Sequence, residues 1–144
     1  MKTKYPETYK GNINLFDLES AESIVLPKTL NGDLRLNKFK SAEGLILPTT
    51  LNGKLYLNKL TSAKYLVLPT TLNGKLYLYE LKSAESLILP ENFKFENLIT
   101  SYEIKRQLIK TLSIKQLQSA ITDIESLNRL IKKTLYKKIY GCRI

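Results

Sequence analysis

The chain contains the stretch "LILPTTLNGKLYLNKLTSA" at residues 45–63 and its near-copy "LVLPTTLNGKLYLYELKSA" at residues 66–84, 21 residues later. Weaker copies lie on either side, and four kinds of residue keep the same interval. These are the glycines Gly11, Gly32, Gly53 and Gly74, the prolines Pro27, Pro48, Pro69 and Pro90, the serines Ser20, Ser41, Ser62 and Ser83, and the alanines Ala21, Ala42, Ala63 and Ala84. A short fixed period predicts a solenoid, in which each repeat is one coil that buries its apolar side against the next.

Each repeat predicts two short strands. Leucine or isoleucine occupies the second and fourth positions after the glycine, as Leu55 and Leu57 do after Gly53. This alternation is typical of a half-buried strand. A second apolar segment, such as "GLILP", ends at a proline that cannot donate to a sheet, which indicates the end of a second strand. The Asn-Gly pair predicts a turn in which glycine takes a positive φ.

From about residue 96 the apolar period becomes helical. Ile104, Leu108 and Leu112 share one face of "SYEIKRQLIKTL", and an apolar stripe follows at Leu127, Ile131, Leu135 and Ile139. We therefore predict an α+β fold: a β-solenoid of about four 21-residue coils with parallel strands, capped by C-terminal α-helices. The expected domains are the solenoid at residues 1–94 and a basic helical cap at residues 95–144, joined in one compact unit.

The stretch "LPTTLNGKLYLNKLTSAKYLVLP" resembles leucine-rich repeats, and the resemblance covers residues 11–94. The segment "LNGKLYL" is one residue longer than the usual leucine spacing of that family. The resemblance implies a protein that binds other macromolecules.

Composition narrows the range of functions. The chain has 23 Lys and Arg against 13 Asp and Glu, a net charge of +10, no histidine and one cysteine, Cys142. The lack of histidine excludes histidine triads and the usual zinc sites, so we expect no enzyme, no cofactor and no metal. One cysteine forms no internal disulfide, and a cytoplasmic setting is expected. No apolar run is long enough for a membrane span, and no secretory signal is expected.

Two groups of residues are candidates for binding a partner or nucleic acid. Strand alternation points one group outward from the last two coils: Lys54, Tyr56, Lys75, Tyr77 and Tyr79. The other group lies in the basic end "RLIKKTLYKKIYGCRI": Arg129, Lys132, Lys133, Tyr136, Lys137, Lys138 and Tyr140. Aromatic and cationic groups together suit protein hot spots or stacked bases. Cross-strand tyrosine packing, the helix dipole and ordinary lysine solvation are alternative explanations that need no partner.

A further apolar feature follows from the second segment. If its flanking leucines face the core, then Val25, Ile46, Val67 and Ile88 point outward as a ridge. Such a ridge is not normally left in water. We expect either the C-terminal helices or a second copy of the chain to cover it, and the second case would make the protein a homodimer.

Three functions remain open. The first is an inhibitor that docks on a protein or nucleoprotein complex, including one that contains RNA. The second is direct RNA or DNA binding, and the third is a self-assembling structural repeat protein. Short, lysine-rich, near-identical repeats with a helical cap look like small proteins of phages and other mobile elements. That resemblance implies inhibition of a bacterial defence complex, as in anti-CRISPR proteins, and favours the first function.

Overall fold

The computed structural model of the chain describes residues 2–110, 121–122, 124–129 and 131–133. The chain divides into two compact units, Met1–Thr111 and Leu112–Ile144. The described residues of the second unit are helical and exposed. None of the helices in the described ranges is long and apolar enough to cross a membrane.

Successive coils contribute short strands to the same parallel sheets. In the described residues the strands are β1 (Thr3–Lys4), β2 (Thr8–Lys10), β3 (Ile13–Asn14), β4 (Ile24–Val25), β5 (Thr29–Asn31), β6 (Leu34–Arg35), β7 (Thr50–Leu51), β8 (Leu55–Tyr56), β9 (Thr71–Leu72), β10 (Leu76–Leu78) and β11 (Leu98–Thr100). The five-stranded sheet has the order β11-β10-β8-β6-β3, the four-stranded sheet has the order β2-β5-β7-β9, and β1 pairs with β4.

The strand register confirms the predicted α+β fold and its parallel β-solenoid. Leu34 pairs with Leu55, and Leu55 pairs with Leu76, so neighbouring coils are in register at the 21-residue period. Leu76 pairs with Leu98, which shows that the last coil is one residue longer. The stack has about five turns rather than the predicted four, because strands β1 and β2 complete a first coil and β11 adds a last one.

The core is a set of apolar columns, one residue from each coil. Leu34, Leu55, Leu76 and Leu98 are fully buried in one such column. Burying a leucine stabilises a fold by about 1.5–3 kcal/mol. In an isolated coil these leucines would have no neighbouring coil above or below to cover them. Other large side chains that are fully buried include Ile13, Leu30, Leu36, Phe39, Leu51, Leu57, Leu60 and Leu78.

The glycines that recur every 21 residues, Gly11, Gly32, Gly53 and Gly74, are needed for a reason other than the predicted positive φ. Among the column's members only Gly11 has a positive φ, at 120°. A Cβ atom at Gly53 or Gly74 would lie 2.2 Å from the carbonyl oxygen of the glycine one coil earlier. Glycine is therefore required because the backbones of successive coils approach too closely for any side chain.

The asparagines that precede the glycines also differ from the prediction of a simple turn. The Nδ2 of Asn52 donates to Oδ1 of Asn31 at 2.6 Å, and the Nδ2 of Asn73 donates to Oδ1 of Asn52 at 2.7 Å. These bonds form an amide ladder on the outer side of the four-stranded sheet. Each amide thus ties its coil to the one before it.

The predicted strand before the proline forms in the first two coils, as β1 and β4, which pair with each other, but not in the later coils. In the first four coils a strand also lies after the proline, which was not predicted. Strands β5, β7 and β9 follow Pro27, Pro48 and Pro69, and the four-stranded sheet is made from them together with β2. In the later coils the backbone N–H of Leu45 donates to the carbonyl of Ala42 at 3.0 Å, and Leu66 repeats this bond to Ala63. The N–H of Ile24 makes the same corner bond to Ala21 although Ile24 belongs to β4, so this bond does not by itself prevent a strand before the proline.

The two ends of the stack are closed differently. In the first coil Tyr5 and Tyr9 stand where later coils have leucine, and their rings meet edge to face at 5.1 Å. After β11 the helix α1 (Tyr102–Ile109) begins, with the Ser101 side chain accepting a hydrogen bond from the N–H of Ile104. This is the helix predicted for "SYEIKRQLIKTL".

Helix α1 caps the last coil. Ile104 and Leu108 are buried, as predicted for the helical face, whereas Leu112, the third member of that face, lies outside the described residues. The Oε1 of Gln107 accepts a hydrogen bond of 2.9 Å from the backbone N–H of Ala84. The helix thus supplies both apolar cover and a backbone partner at the end of the stack.

Candidate binding face

The outward side of the five-stranded sheet carries a row of aromatic and cationic side chains. Because alternate residues of a strand point to opposite sides, burial of Leu55 and Leu76 directs Tyr56 and Tyr77 outward. Parallel pairing then places Tyr56 opposite Tyr77, and Arg35 opposite Tyr56. We call this side of the sheet, formed by Arg35, Lys54, Tyr56, Lys75, Tyr77 and Tyr79, the aromatic face.

The rings of the aromatic face are in mutual contact. Tyr56 and Tyr77 are stacked with centroids 4.4 Å apart and an interplanar angle of 6°. The Arg35 guanidinium lies 5.0 Å from the centroid of the Tyr56 ring, within the range of a cation–π contact. Tyr79 lies 6.0 Å from Tyr77 at a tilt of 50° and is 57% exposed. The row is therefore already ordered without a partner.

The charges on this face are unevenly compensated. Arg35 is 3.7 Å from the carboxylate of Asp33. Lys54 and Lys75 are exposed, and in the described part of the chain neither is in an ion pair. Burial among its neighbours, followed by the nearby Tyr56, raises the pKa of the Tyr77 hydroxyl. At neutral pH Tyr77 is thus a neutral hydrogen-bond donor beside two lysines.

The structure brings one predicted group of residues together and leaves the other incomplete. Lys54, Tyr56, Lys75, Tyr77 and Tyr79 form one continuous surface. From the basic C-terminal group, Arg129, Lys132 and Lys133 are helical and exposed, whereas Tyr136, Lys137, Lys138 and Tyr140 lie outside the described residues.

Arg35 belongs to the aromatic face but was not among the predicted site residues. Its repeat position was the available signal, because it lies one period before Tyr56 and two before Tyr77. A charged residue in that column was therefore certain to lie against the tyrosines once the coils stacked in register.

The predicted apolar ridge is present and exposed. Ile46, Val67 and Ile88 are 83%, 75% and 79% exposed, and Val25 is 42% exposed. The leucine on the N-terminal side of each later member is buried, as the prediction required: Leu45, Leu66 and Leu87. The last two ridge residues, Val67 and Ile88, line an open groove of about 400 Å³ together with Leu66, Leu68, Pro69, Leu89 and Pro90 among others.

The described residues contain no group of three or more His, Cys, Asp or Glu side chains placed to hold a metal ion. Comparison of the chain with protein-family models, curated proteins and solved structures finds no significant match to any of them.

Proposed function

We propose that this chain is a non-catalytic binding protein that docks through the aromatic face on another macromolecule. The observation that carries the proposal is the ordered row of Arg35, Tyr56 and Tyr77 next to two lysines that have no ion pair within the described ranges. Tyrosine and arginine are the residues enriched at the energetic centres of protein interfaces. Because the rings are held before binding, little side-chain entropy is lost when a partner arrives.

The ring geometry favours a protein partner over stacked bases. The two sides of the Tyr56 ring are taken by Arg35 and Tyr77, and Ile99 pairs with Tyr77 on its far side. Bases need a free aromatic side, and in this row only Tyr79 offers a largely exposed ring. The face presents mainly ring edges, hydroxyl groups and ammonium groups, which suit acidic and polar groups of a protein surface.

We further propose that the partner is a nucleic-acid-handling complex, such as a CRISPR effector, and that docking in the cytoplasm inhibits it. The support is the resemblance in kind to small anti-CRISPR proteins, together with a net charge of +10. Effectors of this class hold their guide heteroduplex in a positively charged channel. A basic inhibitor would therefore meet the guide RNA or an acidic patch beside that channel.

Direct binding of RNA or DNA is the second candidate. It is favoured by the exposed cations Lys54, Lys75, Arg129, Lys132 and Lys133 in the described residues. Neutralising phosphates releases counterions, so such binding weakens steeply as salt rises. A gel shift with bare RNA and DNA at two salt concentrations measures it directly.

The proposal is tested by capture of partners from nuclease-treated bacterial lysate, identified by mass spectrometry. Replacing Lys54 and Lys75 with glutamate should reduce capture at least ~10-fold, because two favourable charges on the face become repulsive. The matched control is Lys40→Glu with Lys82→Glu, which makes the same charge change at two exposed corner positions. Equal capture by both double variants would show that the aromatic face is not the binding site. Capture that requires intact nucleic acid would favour direct RNA or DNA binding.

The inhibitory role has its own readout. A captured nucleic-acid-handling complex is assayed for target cleavage with and without the full chain. Loss of cleavage with the native chain, but not with the Lys54→Glu, Lys75→Glu variant, is the expected result. Unchanged cleavage at saturating binding would leave a docking protein without inhibitory function.

A further inference from the structure

The apolar ridge and the groove beside it form a second surface, separate from the aromatic face. The ridge residues Val25, Ile46, Val67 and Ile88 hold one repeat position in consecutive coils. Their side chains therefore recur at the coil spacing of about 4.8 Å. A surface with the same period is found on a second copy of this chain, and β-branched side chains at that spacing interdigitate well between paired faces.

A two-fold axis can bring the first ridge residues of one copy against the last ridge residues of another, beside the groove. The groove lies on the proline side of the ridge, between Pro69 and Pro90 in the last two coils. If two copies meet face to face with their coils running in opposite directions, the second coil of one copy opposes the fifth coil of the other. Val25 and Ile46 of each copy then oppose Ile88 and Val67 of its partner, two residues that line the groove, which makes the contact isologous.

The charges beside the groove match the same arrangement. Along the proline side, one repeat position holds Lys28, Thr49, Thr70 and Glu91 in successive coils. Antiparallel opposition places Lys28 of one copy against Glu91 of the other, and Thr49 against Thr70. On the corner side the same arrangement places Glu43 against Lys64 but Glu22 against Glu85. A parallel arrangement would oppose the proline side of one copy to the corner side of the other, so that Lys28 meets Glu22 and Glu91 meets Glu85, with no second attractive pair.

The wider charge pattern also favours self-association at this surface. The corner side of the ridge carries Glu22, Glu43, Lys64 and Glu85, all exposed. The two flanking rows together hold four acids and two lysines in a chain whose net charge is +10. The surface therefore lacks the excess of cations that the whole chain carries, and its excess of acids disfavours a phosphate backbone.

We propose that the protein forms a two-fold dimer in which the ridges of two copies run antiparallel and pack against each other, with Val25 and Ile46 of one copy against Ile88 and Val67 of the other. The aromatic face lies on the five-stranded sheet, whereas the ridge lies on the segment before each proline. The dimer would thus present two aromatic faces to a partner, and each face would remain open. This inference is independent of the proposed function, since it concerns a different surface.

The test is sedimentation equilibrium of the full chain across about three decades of concentration around ~10 μM. We expect the mass to rise from the 16.5 kDa monomer toward twice that value. Ile46→Lys should raise the dissociation constant at least ~100-fold, because a charge would enter the apolar contact between the ridges. Thr50→Lys, on the four-stranded sheet of the same coil, is the matched control and should leave the dissociation constant unchanged.

A charge swap tests the antiparallel register without touching the apolar side chains. Lys28→Glu alone should weaken the dimer about 5–10-fold, and adding Glu91→Lys should restore it. Lys28 also pairs with Glu7 of its own copy at 2.8 Å, and restoration by Glu91→Lys separates the contact between copies from that internal pair. Lys28 and Glu91 are both exposed, so the variants serve even if Ile46→Lys fails to fold.

Three results would overturn the dimer as described. The first is a monomer at every concentration, and the second is a dimer that persists in a folded Ile46→Lys variant. The third is a charge swap that does not restore association. The second result can be followed up with Ile124→Lys and Leu127→Lys, which change two exposed helical residues of the second unit. If this double variant loses the dimer while Ile46→Lys keeps it, the contact between copies does not involve the ridge.

Discussion

At the scale of single residues, the glycines of the repeats show how one residue type serves two purposes. At Gly53 and Gly74 the absence of a side chain lets the backbones of adjacent coils approach closely. At Gly44 the φ angle is +70°, and a Cβ atom added there would meet no other atom within 4 Å, so only backbone conformation favours glycine. One and two periods later, Tyr65 and Ser86 adopt nearly the same conformation, each with φ of 66°.

These two purposes predict different losses in the free energy of unfolding when glycine is replaced by alanine. Gly53→Ala should lower the free energy of unfolding by about 3 kcal/mol, because its Cβ meets backbone that cannot rotate away. Gly44→Ala should cost about 1 kcal/mol, the penalty of a left-handed conformation alone. Urea denaturation followed by circular dichroism gives both values. Equal losses would contradict the close-approach explanation for the column.

The aromatic face is also decided residue by residue. The outward direction of Tyr56, Tyr77 and Tyr79 follows from strand alternation and was predictable. The stacked geometry was not, because alternation specifies a side of the sheet and says nothing about ring angles. The contact between Arg35 and Tyr56 could be recognised only from the strand register.

At the scale of elements, helix α1 ends the stack through one specific hydrogen bond as well as apolar burial. The Gln107 side chain accepts the backbone N–H of Ala84 in the fourth coil. Without that acceptor the N–H group would lose its partner under the helix. A buried donor left unsatisfied costs about 1–3 kcal/mol.

Substitution of Gln107 separates the hydrogen bond from the packing. Gln107→Ala should lower the free energy of unfolding by about 1–2 kcal/mol and speed hydrogen exchange at the Ala84 amide. Gln107→Glu keeps an acceptor oxygen and should retain most of the protection. If exchange at Ala84 is the same in all three proteins, the contact contributes nothing to the cap.

The strands show where the apolar sequence pattern was not enough to predict strand positions. The first strand of each coil was correctly predicted from leucine alternation, as in β6, β8 and β10. The strand predicted before the proline forms only in the first two coils, as β1 and β4, whereas the segments before Pro48 and Pro69 form no strand. The pattern "LILP" indicates which side chains are buried, and does not by itself specify pairing between the backbones of neighbouring coils.

At the scale of the whole solenoid unit, stability should depend on the number of turns. Each coil contacts only its neighbours, so the free energy is close to a sum over coils and the interfaces between them. A whole turn is therefore removable in principle, provided that the register of the remaining coils is kept.

Deletion of residues 45–65 removes one full period and joins Gly44 to Leu66 in register. The shortened chain should fold with the same type of circular dichroism spectrum and lose about 1–3 kcal/mol of stability, in proportion to its lost residues. Deletion of residues 45–64 leaves one residue too many and turns the side chains of a coil to the wrong side. The second deletion should unfold the chain, and two equally stable products would contradict an in-register stack.

By itself, the sequence determined the 21-residue period, the parallel stack, the inward leucines, the exposed ridge and the start of helix α1. Each of these follows from spacing along the chain, which a repeat displays directly. The tertiary structure alone decided the cause of the glycine column, the position of the second sheet, the stacked rings with Arg35 and the groove beside the ridge. These depend on distances between coils, and residues on neighbouring coils come close only after the chain has wound once around.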